Sequence, residues 1–380
     1  TKQGAGTETL TGANTYTGGT TVNAGALVLG AGGSLASTGT VNLANTGTTF
    51  DISGSGANQA IGTLIGAAGS NVMLGGNSLT LGGTTNGTFG GAISGTGGIT
   101  KAGTGTETLT GANTYTGGTT VAGGTLALGA GGSLATGGAV SLTGTSATLD
   151  LSAAGAPQTI GALSGVGGST LALGGNSLTF GDGTNQTFGG AITGTGGVTK
   201  NGSGTETLTG TNTYTGGTTV NAGTLAIGAN GSLAATGTVN LANVGTALDI
   251  SAATTPQTIG TLTGAAGSSV NLGANNLAFG GSTNGTFGGT IGGTGGVTKQ
   301  GSGTETLTGT NTYTGGTTVA GGTLALGAGG SLATGGAVSL TGTSATLDLS
   351  AAGAPQTIGA LSGVGGSTLA LGGNSLTFGD

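Results

Sequence analysis

The chain has no cysteine, histidine, tryptophan or arginine, and only four lysines and three prolines in 380 residues. Without Cys or His it lacks the ligands for zinc fingers, iron–sulfur clusters and haem, and the groups for Ser-His-Asp or Cys-His catalysis. Four widely spaced Lys can neutralise few phosphates, so no nucleic-acid partner is expected. No run of about 18 apolar residues is present, so neither a membrane span nor a signal peptide is expected in this stretch. Glycine and threonine are abundant, at 97 and 79 residues. Leu, Ile, Val and Phe total 74, just under the roughly one-fifth that marks a poor core former. Disordered chains of that kind usually carry high net charge, but here it is only −6. Collagen is excluded because the Gly spacing is not three.

A longer period is present. The segment GTETLTG recurs with its glutamate at Glu8, Glu107, Glu206 and Glu305, a spacing of 99. Lys2, Lys101, Lys200 and Lys299 keep the same period, as do Tyr16, Tyr115, Tyr214 and Tyr313, and Asp51, Asp150, Asp249 and Asp348. Residues 113–182 and 311–380 are identical, which sets a second period of 198 above the first. We therefore expect one continuous array over 1–380, with sequence repeats 1–99, 100–198, 199–297 and 298–380. The last is 16 residues short of the period, so the chain reads as a piece of a longer array.

Within the repeat, apolar residues pair at spacing two: Leu126/Leu128, Val140/Leu142, Leu149/Leu151, Leu171/Leu173 and Leu178/Phe180. Period two is the strand signature, and no helical spacing is found. Runs such as GAGG, GVGG and GGNS between the strands are turn formers. Two all-β architectures fit: a series of 99-residue sandwiches, or a solenoid of stacked coils. A sandwich needs bulky residues to fill a core about 10 Å thick, and only seven Phe and no Trp are available. A parallel β-helix has a narrower core that Leu, Val, Ile and Ala can fill. The expected fold is therefore all-β, a parallel β-helix of about four coils per repeat. Each coil would hold roughly 23–29 residues, and fifteen or so coils would make a rod of about 70–75 Å.

The run TGANTYTGGTTVNAGAL at residues 11–27 resembles the passenger-associated repeat of bacterial autotransporters, the type V secretion proteins. Related runs occur at 110–126, 209–225 and 308–324. The upstream GGITKAGTGTETLTG at 97–111 is similar to the same repeat. The resemblance implies a right-handed parallel β-helix, displayed on or released from a Gram-negative outer membrane by a translocator that this stretch does not contain. It implies a stalk or adhesin scaffold, with no catalytic residue common to the family.

One departure stands out. Where the family usually has Leu-Thr-Leu, this chain has Glu-Thr-Leu in all four copies. Glu107 shares strand parity with Leu109, and Lys101 with Ile99, with a bend at 102–106 between them. Two readings are open. Lys101 and Glu107 pair near a coil corner, as do Lys2/Glu8, Lys200/Glu206 and Lys299/Glu305, because an unpaired inward charge would cost several kcal/mol. Alternatively a local kink turns the glutamate out to water.

Other chemistry finds little support. Glu107 and Asp150 could form a glycosidase-type carboxylate pair only if they shared a face, and Asp150, between Leu149 and Leu151, should point outward. The acids also repeat, which suits a scaffold better than a single active site, so no enzyme and no catalytic residue is expected. Calcium sites use several carboxylates. GGxGxD is absent and Asp182 is a lone acid in a turn, so no metal and no cofactor is expected. An isopeptide link around Lys101 and Glu107 has no fixed partner. Ice binding, a distant alternative, needs paired threonines on one face in coil after coil, and the Thr-x-Thr pattern breaks after two coils. The tyrosines fit corner packing.

Two function classes remain. The first is a surface stalk or adhesin repeat whose partner is a host or abiotic surface. The second is a self-associating fibre or biofilm matrix protein whose partners are like molecules, with end-to-end contacts through open coil ends. A chain without Cys suits export across the outer membrane unfolded, and a solenoid can close coil by coil as it emerges.

Overall fold

The computed structural model describes residues 1–379; Asp380, the last acid of the 198-residue period, lies outside them. All regular structure among the described residues is strand, in pieces of two to four residues, with no helix. The residues divide into two compact units, 1–182 with 188–196, and 183–187 with 197–380.

In the first unit one coil runs through Thr49–Asp51, Gln59–Ile61 and Leu64–Gly66. The next runs through Asn71–Met73, Leu79–Leu81 and Gly87–Phe89. Each strand lies parallel to its counterpart one coil away, so three ladders form three faces. On the first face Thr7 lies beside Ala26, Ala26 beside Thr49, Thr49 beside Asn71 and Asn71 beside Ala92, steps of 19 to 23 residues. The coils are thus slightly shorter than the sequence suggests. A repeat holds four of them and part of a fifth, and the described residues make about 18 coils.

The core follows from the period-two pattern. Leu27, Phe50, Val72 and Ile93 are register neighbours on successive coils and all point inward, buried. Removing a Leu or Phe of this kind from water is worth roughly 1.5–3 kcal/mol. The alternate positions, mostly Thr, Ser, Ala and Asn, face out and suit a pleated, half-wet surface. Corners are made by glycine where the chain must turn left-handed against the coil below. At Gly124, φ is +62° and a Cβ would stand 2.4 Å from the Gly103 carbonyl oxygen, so no other residue fits there without displacement.

Ninety-nine residues is not a whole number of coils, and this has a geometric result. In the first unit Thr7–Leu10 lies on the first face and Thr20–Val22 on a second, that of Leu64–Gly66, the third being that of Gln59–Ile61. One repeat later, Thr106–Leu109 lies on the second face and Thr119–Val121 on the third. The second unit repeats the pattern: Thr304–Leu307 joins the sheet that holds Thr218–Val220 of the repeat before, while Thr205–Leu208 lies in another. Within each unit the second repeat therefore sits one face on from the first.

Candidate functional site

The charged cluster of each repeat sits at the corner between Ile99–Lys101 and Thr106–Leu109. Lys101 points inward with Ile99, as strand parity requires, and is buried. Its ammonium donates to the carbonyl oxygens of Gly103 and of Gly123, 22 residues on in the next coil. Lys299 does the same with Gln300, Gly301 and Gly321, and Lys200 with Asn201, Gly202 and Ala222. Lys2 bonds Gly4 and Ala24. The lysine thus staples its own corner to the corner of the following coil. Burial lowers the Lys101 and Lys299 pKa values, and the neighbouring glutamate charge partly restores them.

Glu107 also points inward and is buried, like Glu206 and Glu305; no kink turns them out. In these three repeats Leu gives way to Glu on the inner side of the strand. Room for it comes from the coil below, where Gly87 carries no side chain: a Cβ there would lie 2.7 Å from Glu107 Oε2. Oε2 accepts a hydrogen bond from the Leu64 N–H at 3.3 Å, and Oε1 has no partner. Glu305 lies over Gly285 in the same way, and apart from a weak pull from the Leu262 N–H its oxygens have no hydrogen-bond partner. Burial pushes the Glu107 and Glu305 carboxyls up to about 8, against weaker opposing pulls from the Leu64 or Leu262 N–H and from the nearby lysine. Lys101 and Glu107 therefore act on each other through space, while the ammonium's hydrogen bonds go to backbone carbonyls. Glu8, in the first coil, is exposed.

Two side chains that sequence reasoning left unassigned complete the corner. Beyond Ala92–Ser94 the strand ladder on the first face is interrupted for two coils, and side-chain amides take its place. Asn113 Oδ1 accepts from the Ile93 N–H, and Nδ2 donates to Gly111 and Ser133. Gln158 Oε1 then accepts from the Leu134 N–H, and Nε2 donates to Ala156 and Gly132. Both are buried and their amide groups are satisfied on both ends, which buried polar groups require. Asn311 and Gln356 repeat the arrangement. Their one sequence signal is the fixed place of Asn in NTYTGG and of Gln in PQT. Tyr115 packs inside the same corner, fully buried, with its hydroxyl 2.6 Å from Thr119 Oγ1. Burial raises its pKa to about 12.

The remaining candidates fall apart in space. Glu107 is in register with Leu126 and Leu149 on the inner side, whereas Asp150 faces outward and accepts from the Ser152 N–H. The two carboxyls lie on opposite sides of one sheet and cannot flank a common bond. Asp182 is exposed, and among the described residues no three His, Cys, Asp or Glu cluster closely enough to hold a metal ion. Thr106, Thr125, Thr148 and Thr170 do align on one face. The row is single file, because the second position reads Thr108, Ala127, Asp150 and Ala172.

Four stapled corners at a fixed spacing, each built on GTETLTG and NTYTGG, agree with comparison to known families. The passenger-associated-transport-repeat matches residues 1–29, 99–128, 198–227 and 297–326. The chain carries four passenger-associated transport repeats. Each matched segment of the repeat spans the lysine staple, the glutamate and the tyrosine corner, so the family motif is the corner itself. The intervening residues form ordinary coils of the same solenoid. Passenger-associated repeats set in a β-solenoid support an autotransporter passenger scaffold. No curated protein and no solved structure matches it.

Proposed function

We propose that this chain is the displayed shaft of a bacterial surface passenger, a stalk or adhesin repeat exposed outside the outer membrane, with a structural rather than catalytic role. The observation that carries this reading is the recurrence of one stapled corner in every repeat, shifted by one face between the two repeats of each unit. Such an array is stiffened by neighbour contacts alone and can be lengthened by whole repeats without redesign. Its inward charges are held by the fold, and its outer surface is mostly hydroxyl, amide and methyl.

The test is display on cells. The array is fused to a translocator barrel in a Gram-negative host and surface exposure is read by added protease and antibody. Adhesion of these cells to host or abiotic surfaces, without clumping among themselves, supports the stalk or adhesin reading. Clumping of cells that all carry the array favours the self-associating alternative. Retention of the folded array in the periplasm contradicts both.

A further inference from the structure

We propose that the interior glutamate makes coil closure a proton-uptake step: Glu107 and Glu305 are carboxylates in the open chain and enter the stack as neutral acids. The inference concerns folding, and it stands or falls independently of what the surface contacts.

The geometry carries it. A buried carboxylate needs several hydrogen bonds or a directly paired cation to replace lost water. Glu107 has one backbone N–H, at 3.3 Å on Oε2, and none on Oε1; Glu305 has no more than the weak pull of the Leu262 N–H. The one cation near each, Lys101 or Lys299, gives its hydrogen bonds to corner carbonyls. Among the described residues, no other charged side chain lies on the strands packed against the site. Around Glu107, the flanking strands Gly87–Phe89 and Thr125–Leu128, and Leu64–Gly66 beyond, contain no titratable side chain. Around Glu305 the same holds for Gly285–Phe287, Thr323–Leu326 and Leu262–Gly264. A neutral carboxyl loses far less on burial there than a charged one. Its raised affinity for a proton in the fold points the same way.

The step is simple: a glutamate carboxylate takes one proton from solvent as the preceding coil covers it. In the open chain the same glutamate is charged at neutral pH. With the lysine it interrupts a strand-prone stretch that otherwise carries no charge, which disfavours association before folding. The charges thus serve the open chain, and the closed coil removes one of them.

The experiment is proton uptake on refolding. Native chain and the E107Q/E305Q variant are diluted from urea at about pH 6.5, and uptake is read by pH-stat or from refolding heats in two buffers of different ionisation enthalpy. The native chain is expected to take up about two protons more per chain than the variant. Equal uptake overturns the proposal. Should the variant fail to refold, the native chain alone decides by carbon NMR of its glutamate carboxyls. At least two titrating near pH 8 is the expected result. All four titrating between roughly pH 4 and 5, the ordinary range, overturns the proposal.

Discussion

Glu8 and Glu107 lie in the same seven residues, GTETLTG, and Tyr16 and Tyr115 in the same NTYTGG. Their surroundings differ. Tyr16 is 44% exposed and Tyr115 fully buried, and Glu8 is exposed where Glu107 is buried. The internal bond of the corner forms in both, with tyrosine hydroxyl to threonine hydroxyl at 2.8 Å in one and 2.6 Å in the other. The lysine staple to the following coil also forms in both. Among the described residues the second corner has the strand Gly87–Phe89 stacked before it, and the first corner has no counterpart. Local geometry therefore belongs to the repeat, and burial belongs to its neighbour, as expected for a chain whose energetics run along one dimension.

The sharpest way to break this comparison is to remove the two tyrosines separately. Tyr115→Ala empties a filled site and is expected to lose about 3–5 kcal/mol, whereas Tyr16→Ala should lose about 1 kcal/mol or less. Urea melting monitored across the array checks both. Equal losses would mean that the preceding coil contributes little.

The glutamates give a pH-dependent version. The Glu107 carboxyl is raised in the fold from its usual value to about 8, so the folded state holds a proton that the unfolded state has released. The favourable contribution is complete below the ordinary carboxyl range and is lost as pH rises through about 8. Glu107→Gln should therefore raise Tm at pH 9, by roughly 2–4 °C for each kcal/mol relieved, and leave it nearly unchanged at pH 5. Glu8→Gln should change little at either pH. Differential scanning calorimetry at the two pH values reads all four results.

A smaller effect is expected from glycine. A Cβ at Gly105 would lie 2.4 Å from the Thr85 carbonyl oxygen, whereas one at Gly6, the same place in the first repeat, meets nothing within 4 Å. Gly105→Ala should lose about 1–3 kcal/mol through forced displacement, and Gly6→Ala should be close to neutral. Thermal melts of the two single variants test the difference.

Much of this was legible in the sequence. The 99-residue period and the strand parity of Lys101 with Ile99 and Glu107 with Leu109 follow from spacing; the parallel solenoid also needs the scarcity of aromatics, and the packing role of tyrosine the resemblance to the passenger repeat. The partners of the lysine did not, because they are carbonyls of a coil 22 residues on, and backbone groups leave no mark on the sequence. Asn113 and Gln158 were hidden for a similar reason: each replaces ladder hydrogen bonds between coils, so its purpose shows only once the register is known. The shift by one face between the two repeats of a unit was also out of reach. It depends on the summed lengths of several coils, and an error of one or two residues in each corner hides the remainder.

Amide hydrogen exchange on the two copies of the TETL strand tests the central claim most directly. Peptides covering Thr7–Leu10 and Thr106–Leu109 differ in flanking sequence and separate by mass. If burial is supplied by the preceding coil, then in the polypeptide of residues 1–380 Thr106–Leu109 should exchange slowly, near the limit set by unfolding of the array, and Thr7–Leu10 much faster. Equal protection of the two would contradict the account, because identical repeats would then be holding themselves together without their neighbours.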